Sequence, residues 1–267
     1  MSDVDVSGVR VPRVEIDGNV ATIEQIWHLD LSTEGHFTAM QVRARAALGV
    51  DFHLVRLDAA TRAMFGVDLD GDRVRGYIKR ALADDIGDAS VRVNVIRPDA
   101  DGGVSVAVSL RPPAPPPVQG QSLRTVDYRR PVAHIKRATG FGQSYYREFV
   151  RSDGFDEALF VGPDGVISEG SITNIGFVDG DKIVWPDAPA LTGVMMQVLQ
   201  RELERAGVAW RCRAVHVADI AAFDGAFVTN SRGMATVARI DDLLLPTDSG
   251  LMRTAAELLA TAPYDPI

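Results

Sequence analysis

The chain has 267 residues, of which 46% are hydrophobic and 24% charged, the composition of an ordinary globular protein. The net charge of −8 argues against a nucleic-acid partner, and no apolar run is long enough to span a membrane. Cys212 is the only cysteine, which is typical of a reducing compartment, so we expect a cytoplasmic protein. The five histidines are dispersed, and we expect no metal site.

The first part of the chain mixes strand and helix patterns. Residues 72–83 place apolar side chains at the spacing of one helical face, which predicts an amphipathic helix. The other predictions here are, in chain order, a strand at 35–42, a helix at 53–65 and a hairpin of strands at 91–96 and 104–110. These elements predict a small N-terminal α/β lobe.

Five of the six residues from 112 to 117 are prolines, which excludes a helix interior or a central strand. The segment 112–122 therefore predicts an extended linker between two domains, 1–111 and 123–267.

The second part is richer in strands. Turn sequences separate predicted strands at 157–161, 166–168, 172–178, 182–185, 210–217, 226–229 and 235–240. A helix is predicted at 193–206 with Thr192 as its N-cap, and another at 251–260. The fold class is therefore α+β in two lobes, with a cleft between them as the expected site.

Lysine is scarce in this sequence. The chain has 28 basic residues, and only Lys79, Lys136 and Lys182 are lysines. Lys79 and Lys182 fall on a charged helix face and in a hairpin turn, whereas Lys136 ends the apolar run 131–135, which predicts a strand end. A lysine can lose its proton and form a Schiff base, whereas an arginine cannot. The alternative is a surface lysine without a chemical role.

Later segments offer groups that suit such a lysine. Glu169 is a lone carboxylate among small and apolar residues, so it needs a cationic or protonated partner. The first turn of the predicted helix at 193 offers free N–H groups to an anion, and three polar side chains end the strand near 229. Each has an ordinary alternative: a half-buried glutamate, a capped helix and a polar turn. The candidate residues in these two segments are Thr192, Gly193, Val194, Met195, Thr229, Asn230 and Ser231.

Taken together and in their order along the chain, the motifs between residues 35 and 241 resemble those of the fold-type IV pyridoxal-phosphate enzymes, or class IV aminotransferases. That family includes branched-chain and D-amino-acid aminotransferases and 4-amino-4-deoxychorismate lyases. Residues 53–57 match its His-x-x-Arg-Leu motif, which makes Arg56 the phosphate arginine. Lys136 matches the lysine that carries the cofactor, and the segment from Ser168 to Asn174 matches the one whose glutamate pairs with the pyridine nitrogen. Residues 192–195 resemble the phosphate turn, with Met195 where the family has threonine.

The resemblance implies the two-lobed fold of D-amino-acid aminotransferases, bound pyridoxal phosphate and a homodimer. It implies an aminotransferase acting on an amino acid and a 2-oxo acid. The alternative is a lyase that releases pyruvate and 4-aminobenzoate from aminodeoxychorismate, because an asparagine at the position of Asn230 resembles the lyase branch of the family. A third possibility is a binding module without cofactor. Asn174 and the late loop at 229–231 would lie near the cofactor. Candidates for the substrate side of the site are His36, Thr38, Arg97, Tyr145 and Arg232.

Overall fold

The computed structural model describes residues 13–22, 25, 35–97, 103–138 and 140–267. Within these residues the chain forms two β-sheets, of seven and nine strands, each covered by helices. The fold is the α+β, two-lobed arrangement predicted from the sequence. No helix in these ranges is long and apolar enough to cross a membrane.

The N-terminal sheet has the strand order β16-β4-β3-β5-β6-β1-β2. Its central strands pair antiparallel, and β3 and β5 alternate between buried and half-buried residues, so one face lies on the core. Two helices, α1 (Val50–Phe65) and α2 (Gly71–Leu82), pack on that face. The strands, numbered in chain order, are β1 (Arg13–Ile16), β2 (Asn19–Val20), β3 (Gly35–Arg43), β4 (Ala46–Ala47), β5 (Ala89–Ile96), β6 (Ser105–Arg111) and β16 (Asp265–Pro266).

The predicted elements of this lobe are present with shifted ends. Helix α1 begins three residues before the prediction, directly after Gly49, whose φ of 65° is left-handed. Helix α2 is capped by Asp70, whose carboxylate accepts hydrogen bonds from the N–H groups of Asp72 and Arg73. The hairpin of β5 and β6 is confirmed, although most of its predicted turn, residues 98–102, lies outside the described residues.

The C-terminal sheet has the order β12-β11-β10-β13-β14-β7-β8-β9, and β15 pairs with β14. Its helices are α3 (Phe141–Ser152), α4 (Val194–Arg205) and α5 (Gly250–Thr261). The central strands are buried along almost their whole length because side chains on both of their faces are covered. The strands are β7 (Gln121–Asp127), β8 (Glu157–Val161), β9 (Ile167–Gly170), β10 (Asn174–Asp179), β11 (Lys182–Pro186), β12 (Ala209–Arg213), β13 (Gly225–Asn230), β14 (Gly233–Ile240) and β15 (Leu243–Leu244).

Two local predictions in this lobe are wrong. Thr192 is not the N-cap of α4, because the helix begins at Val194 and Gly193 holds the capping position. The strand predicted at 210–217 ends at Arg213, and a 3₁₀-helix, Val217–Ala222, follows. Threonine is a common capping residue, but the residue type alone does not fix the first helical residue. Beyond Arg213 the chain leaves β11 and instead contacts β9, where the N–H of Ile167 donates to the Val215 carbonyl over 2.8 Å.

The proline-rich segment joins the two sheets, since β6 ends at Arg111 and β7 begins at Gln121. The chain crosses back at its end, where β16 pairs antiparallel with β4 of the N-terminal sheet. The domain boundaries predicted at 111 and 123 stay a proposal.

The start of α1 is packed tightly against α4, which joins the lobes. A Cβ atom on Gly49 would lie 2.8 Å from Val198 Cγ2 and 3.0 Å from Val194 Cγ1. We therefore expect Gly49→Ala to lower the free energy of unfolding by about 2–4 kcal/mol, from left-handed backbone strain plus overpacking. Gly66→Ala is the matched control, because Gly66 has a φ of 70° and a Cβ atom added to it would have no neighbour within 4 Å. It should cost only about 1–2 kcal/mol of strain. Urea denaturation measures the free energy of unfolding of each variant. An equal loss in Gly49→Ala and Gly66→Ala would contradict a packing contribution at Gly49.

Candidate active site

A cavity of about 520 Å³ lies between the two sheets. Its walls come from β3 and α1 of the N-terminal lobe, from the linker, and from β9, β13 and the start of α4 in the C-terminal lobe. The volume is that of a cofactor or small-molecule site. Most of the residues predicted from sequence to carry chemistry meet here.

Lys136 lines the cavity from an irregular segment and not from a strand end, which corrects the prediction. Residues 131–135 form turns, and the Lys136 carbonyl accepts a hydrogen bond of 2.8 Å from the N–H of Phe37 on β3. This contact holds the segment beside the N-terminal lobe. Burial, followed by the charges of Arg56 and Arg130, lowers the pKa of Lys136 to about 7. Part of the lysine population is therefore an uncharged amine at neutral pH.

Glu169 on β9 faces the same cavity and is almost fully buried. Its Oε2 accepts a hydrogen bond from the N–H of Leu191, while Oε1 has no hydrogen-bond partner among the described residues. Arg130 Nε lies 3.5 Å from Oε1, and burial raises the pKa of Glu169. A buried carboxylate oxygen without a donor is costly. The protonated nitrogen of a pyridinium ring fits that oxygen.

Arg130 also belongs to the site, although it was not predicted from the sequence. It is buried, and its guanidinium donates hydrogen bonds to the carbonyls of Ala133 and Ile135 while it pairs with Glu169. One side chain thus ties β9 to the turn that precedes Lys136. No pattern separates Arg130 from the other arginines, because its role depends on a loop that folds back onto it.

Arg56 reaches the cavity from α1. Its Nη2 donates to Thr38 Oγ1 over 2.5 Å, and its Nε has no hydrogen-bond partner among the described residues. Burial, together with the charge of Arg130, lowers its pKa to about 10. No carboxylate in the described ranges pairs with it. Glu169 is the only carboxylate among the described lining residues, beside the cations Arg56, Arg130 and Lys136. The surplus of positive charge suits a phosphate dianion.

The start of α4 supplies the second part of an anion site. Gly193, Val194 and Met195 line the cavity, and the first N–H groups of a helix are free to bind an anion. Asn174 holds this turn in place: its Nδ2 donates to the Leu191 carbonyl over 2.7 Å. A Cβ atom on Gly193 would lie 1.9 Å from Asn174 Oδ1, so only glycine fits here. Thr192 is exposed and does not line the cavity, so its predicted contact with the cofactor stays a prediction.

The late loop reaches the cavity as expected from sequence. Thr229 is buried, and its Oγ1 has no hydrogen-bond partner among the described residues. Asn230 and Ser231 line the same wall, and Asn230 Oδ1 accepts a hydrogen bond from the N–H of Arg232. The unpartnered Thr229 hydroxyl is available to a phosphate oxygen. Together with Glu169 and Arg56, it makes the described residues fit pyridoxal phosphate.

Of the five predicted substrate residues, only Arg232 lines the cavity, where its Nε also donates to the Pro115 carbonyl. Arg97 is turned away and donates to the Phe65 carbonyl over 2.7 Å. Tyr145 is 52% exposed on α3. His36 and Thr38 are buried behind the cavity wall. These four side chains therefore do not line the cavity, and a role for them toward substrate stays a prediction.

Other lining residues carried no sequence signal. Gln41 and Arg43 at the end of β3 face the cavity, as do Pro115 and Pro116 of the linker. The side-chain carbonyl of Gln41 accepts a hydrogen bond from the N–H of Ala114, which fastens the linker to β3. The linker is therefore also a wall of the site.

The sequence profile described as amino-transferase class IV matches residues 35–240. No curated protein matches the chain. Among solved structures, a hypothetical aminotransferase from Mycobacterium tuberculosis in its PLP-bound form has a TM-score of 0.82 and 22% identity, covering 94% of this chain and 98% of its own.

A branched-chain aminotransferase from Thermoproteus uzoniensis with norvaline has a TM-score of 0.82 and 18% identity over 93% of both chains. A putative 4-amino-4-deoxychorismate lyase from Legionella pneumophila has a TM-score of 0.79 and 17% identity, covering 86% of this chain and 92% of its own. At these identities the likeness shows the fold, whereas the profile match spans most of the chain. The chain belongs to the class IV aminotransferase family, whose members are pyridoxal-phosphate-dependent enzymes of fold type IV.

Proposed function

We propose that this enzyme is an aminotransferase that moves an amino group between an amino acid and a 2-oxo acid, with its cofactor carried on Lys136. The observation that carries the proposal is a buried lysine with a pKa of about 7 in the same cavity as Glu169, whose Oε1 has no hydrogen-bond donor among the described residues. Bound pyridoxal phosphate supplies an electron sink that allows the Cα–H bond of an amino acid to be broken.

Different residues around the cavity would hold different parts of the cofactor. Glu169 would hold the ring nitrogen in its protonated form through Oε1, which has no hydrogen-bond donor among the described residues. Arg56, the Thr229 hydroxyl and the backbone N–H groups at Val194 and Met195 would hold the phosphate. The phosphate would then offset the surplus cations and anchor the cofactor in the cavity.

Lys136 has the proton affinity that amino transfer requires. In one half-reaction its Nζ takes a proton from Cα of the amino acid, and in the other it returns a proton to Cα of the product amino acid. A group that acts in both directions works best when both of its forms are populated near the operating pH. Burial, the largest cause of the lowered pKa of Lys136, moves the lysine toward this condition, which an ordinary lysine does not meet.

A lyase acting on aminodeoxychorismate, with release of pyruvate and 4-aminobenzoate, is the second candidate. It is supported by Asn230, which lines the cavity in the loop where the sequence resembles the lyase branch. A binding module without cofactor is disfavoured, because Lys136, Glu169 and Arg56 all line one cavity. The homodimer and the cytoplasmic location stay predictions from sequence.

Borohydride reduction of the purified holoenzyme tests which lysine carries the cofactor. We expect a single reduced adduct on Lys136, found by peptide mapping, and its complete loss in Lys136→Ala. Lys182→Ala is the matched control, because Lys182 is a partly exposed lysine whose Nζ lies 3.6 Å from Asp181 Oδ1. An adduct that persists in Lys136→Ala would refute the assignment.

The lowered pKa of Lys136 predicts a pH dependence for the addition of pyridoxal, which lacks the phosphate. With Lys79 and Lys182 both replaced by arginine, Lys136 is the only lysine side chain. The uncharged amine is the nucleophile, so the addition rate to the apoprotein should rise through about pH 7 and then level off. Stopped-flow absorbance between pH 5 and 10 measures it. A rate that keeps rising to pH 10 would show an unperturbed lysine.

Visible absorption of the holoenzyme with a panel of L- and D-amino acids separates the two candidate reactions. An aminotransferase should convert the bound cofactor to its pyridoxamine form with at least one amino acid, and a 2-oxo acid should reverse the change. The opposite result is no conversion by any donor, with pyruvate released from aminodeoxychorismate in the absence of an acceptor. That outcome would replace the aminotransferase proposal with the lyase.

A further inference from the structure

At the cavity wall, Arg56 is held by a chain of two buried polar groups, Thr38 and His53, of which His53 also lines the cavity. Thr38 Oγ1 lies 2.5 Å from Arg56 Nη2 and 2.5 Å from His53 Nδ1. Thr38 is fully buried and His53 is 4% exposed, so water does not replace these contacts. His53 and Arg56 are three residues apart on α1, which places both on the helix face that meets Thr38 on β3.

The direction of the first hydrogen bond is fixed, because a guanidinium can only donate, so Thr38 Oγ1 accepts from Arg56. The direction of the second depends on the tautomer of His53. With the ring proton on Nε2, His53 Nδ1 accepts the hydroxyl proton of Thr38. Burial, and then the charges of Arg56 and Lys136, keep the pKa of His53 well below its ordinary value, in agreement with a neutral ring.

Arg56 depends on this chain because it has little else to hold it. Thr38 is its only hydrogen-bond partner among the described residues, and the charges nearest to it belong to the cations Lys136 and Arg130. A long side chain surrounded by like charges would otherwise turn away from them. We propose that Thr38 and His53 are positioning residues that aim the Arg56 guanidinium at the cofactor phosphate. This inference rests on the proposed role of Arg56.

The lobe contains a matched pair of residues that does not touch Arg56. His36 Nε2 and Thr61 Oγ1 form a second buried threonine–histidine contact, of 2.9 Å, and Thr61 Oγ1 also donates to the Leu57 carbonyl. Thr61→Val therefore removes a similar buried hydroxyl from the same lobe. Any general loss of stability should be equal to or greater than that of Thr38→Val.

The test compares the affinities of apoprotein variants for pyridoxal phosphate and for pyridoxal by absorbance titration. Thr38→Val keeps the shape of the side chain and removes the hydroxyl, and we expect about tenfold weaker binding of pyridoxal phosphate, the size of a lost charged hydrogen bond. Binding of pyridoxal should be unchanged. Thr38→Ser should restore the wild-type ratio of the two affinities, and Thr61→Val should keep it.

Two His53 variants test the second link of the chain. His53→Asn retains an acceptor near the place of Nδ1 and should preserve the affinity ratio, whereas His53→Phe should lower it as Thr38→Val does. Equal losses for both ligands in Thr38→Val would show a merely structural role and overturn the inference.

An Arg56→Met variant separates failure of the inference from failure of the site assignment. If Arg56→Met loses its preference for the phosphorylated ligand while Thr38→Val does not, the positioning role is wrong and the phosphate role of Arg56 stands. If Arg56→Met binds both ligands like the wild type, the assignment of Arg56 falls and the inference falls with it.

Discussion

The contact between Arg130 and Glu169 organises the site. A carboxylate buried on β9 needs a cation, and Arg130 provides one while it also binds the carbonyls of Ala133 and Ile135. The same guanidinium therefore sets the position of the carboxylate that faces the ring nitrogen and of the turn that presents Lys136. If the pair were absent, the two groups would be held only by separate segments of the chain.

The second constraint is an imbalance of charge that the protein alone does not correct. Lys136, Arg56 and Arg130 face one cavity with Glu169 as their carboxylate, and this imbalance, added to burial, lowers the pKa of the lysine. A phosphate dianion would restore the balance, and by offsetting the neighbouring cations it would raise the pKa of Lys136 part of the way back toward its ordinary value. The pKa of His53 beside Arg56 is lowered first by burial and then by the charges of Arg56 and Lys136.

Backbone packing determines where the anion site can form. Gly193 can begin α4 against Asn174 because it has no side chain, and Gly49 can begin α1 against α4 for the same reason. These two contacts place the starts of both helices at the boundary between the lobes, where Arg56 and the free N–H groups of α4 converge on one cavity. The linker prolines, fastened to β3 through Gln41, close another side of it.

The sequence by itself determined the α+β class and most of the helices and strands, because hydrophobic periodicity reports local backbone structure. It pointed to Lys136 and Glu169 through their residue types and to Arg56 through the family resemblance. It did not predict the role of Arg130, which depends on residues 131–135 folding back onto the Arg130 side chain. Nor did it predict that the side chains of Arg97 and Tyr145 do not line the cavity. It also placed Lys136 at a strand end, although the segment is irregular and is held by two backbone hydrogen bonds to β3, at Lys136 and Ala138, and by Arg130. Only the tertiary structure decided these points, since the direction of a side chain at a cleft between lobes depends on contacts between residues far apart in the chain.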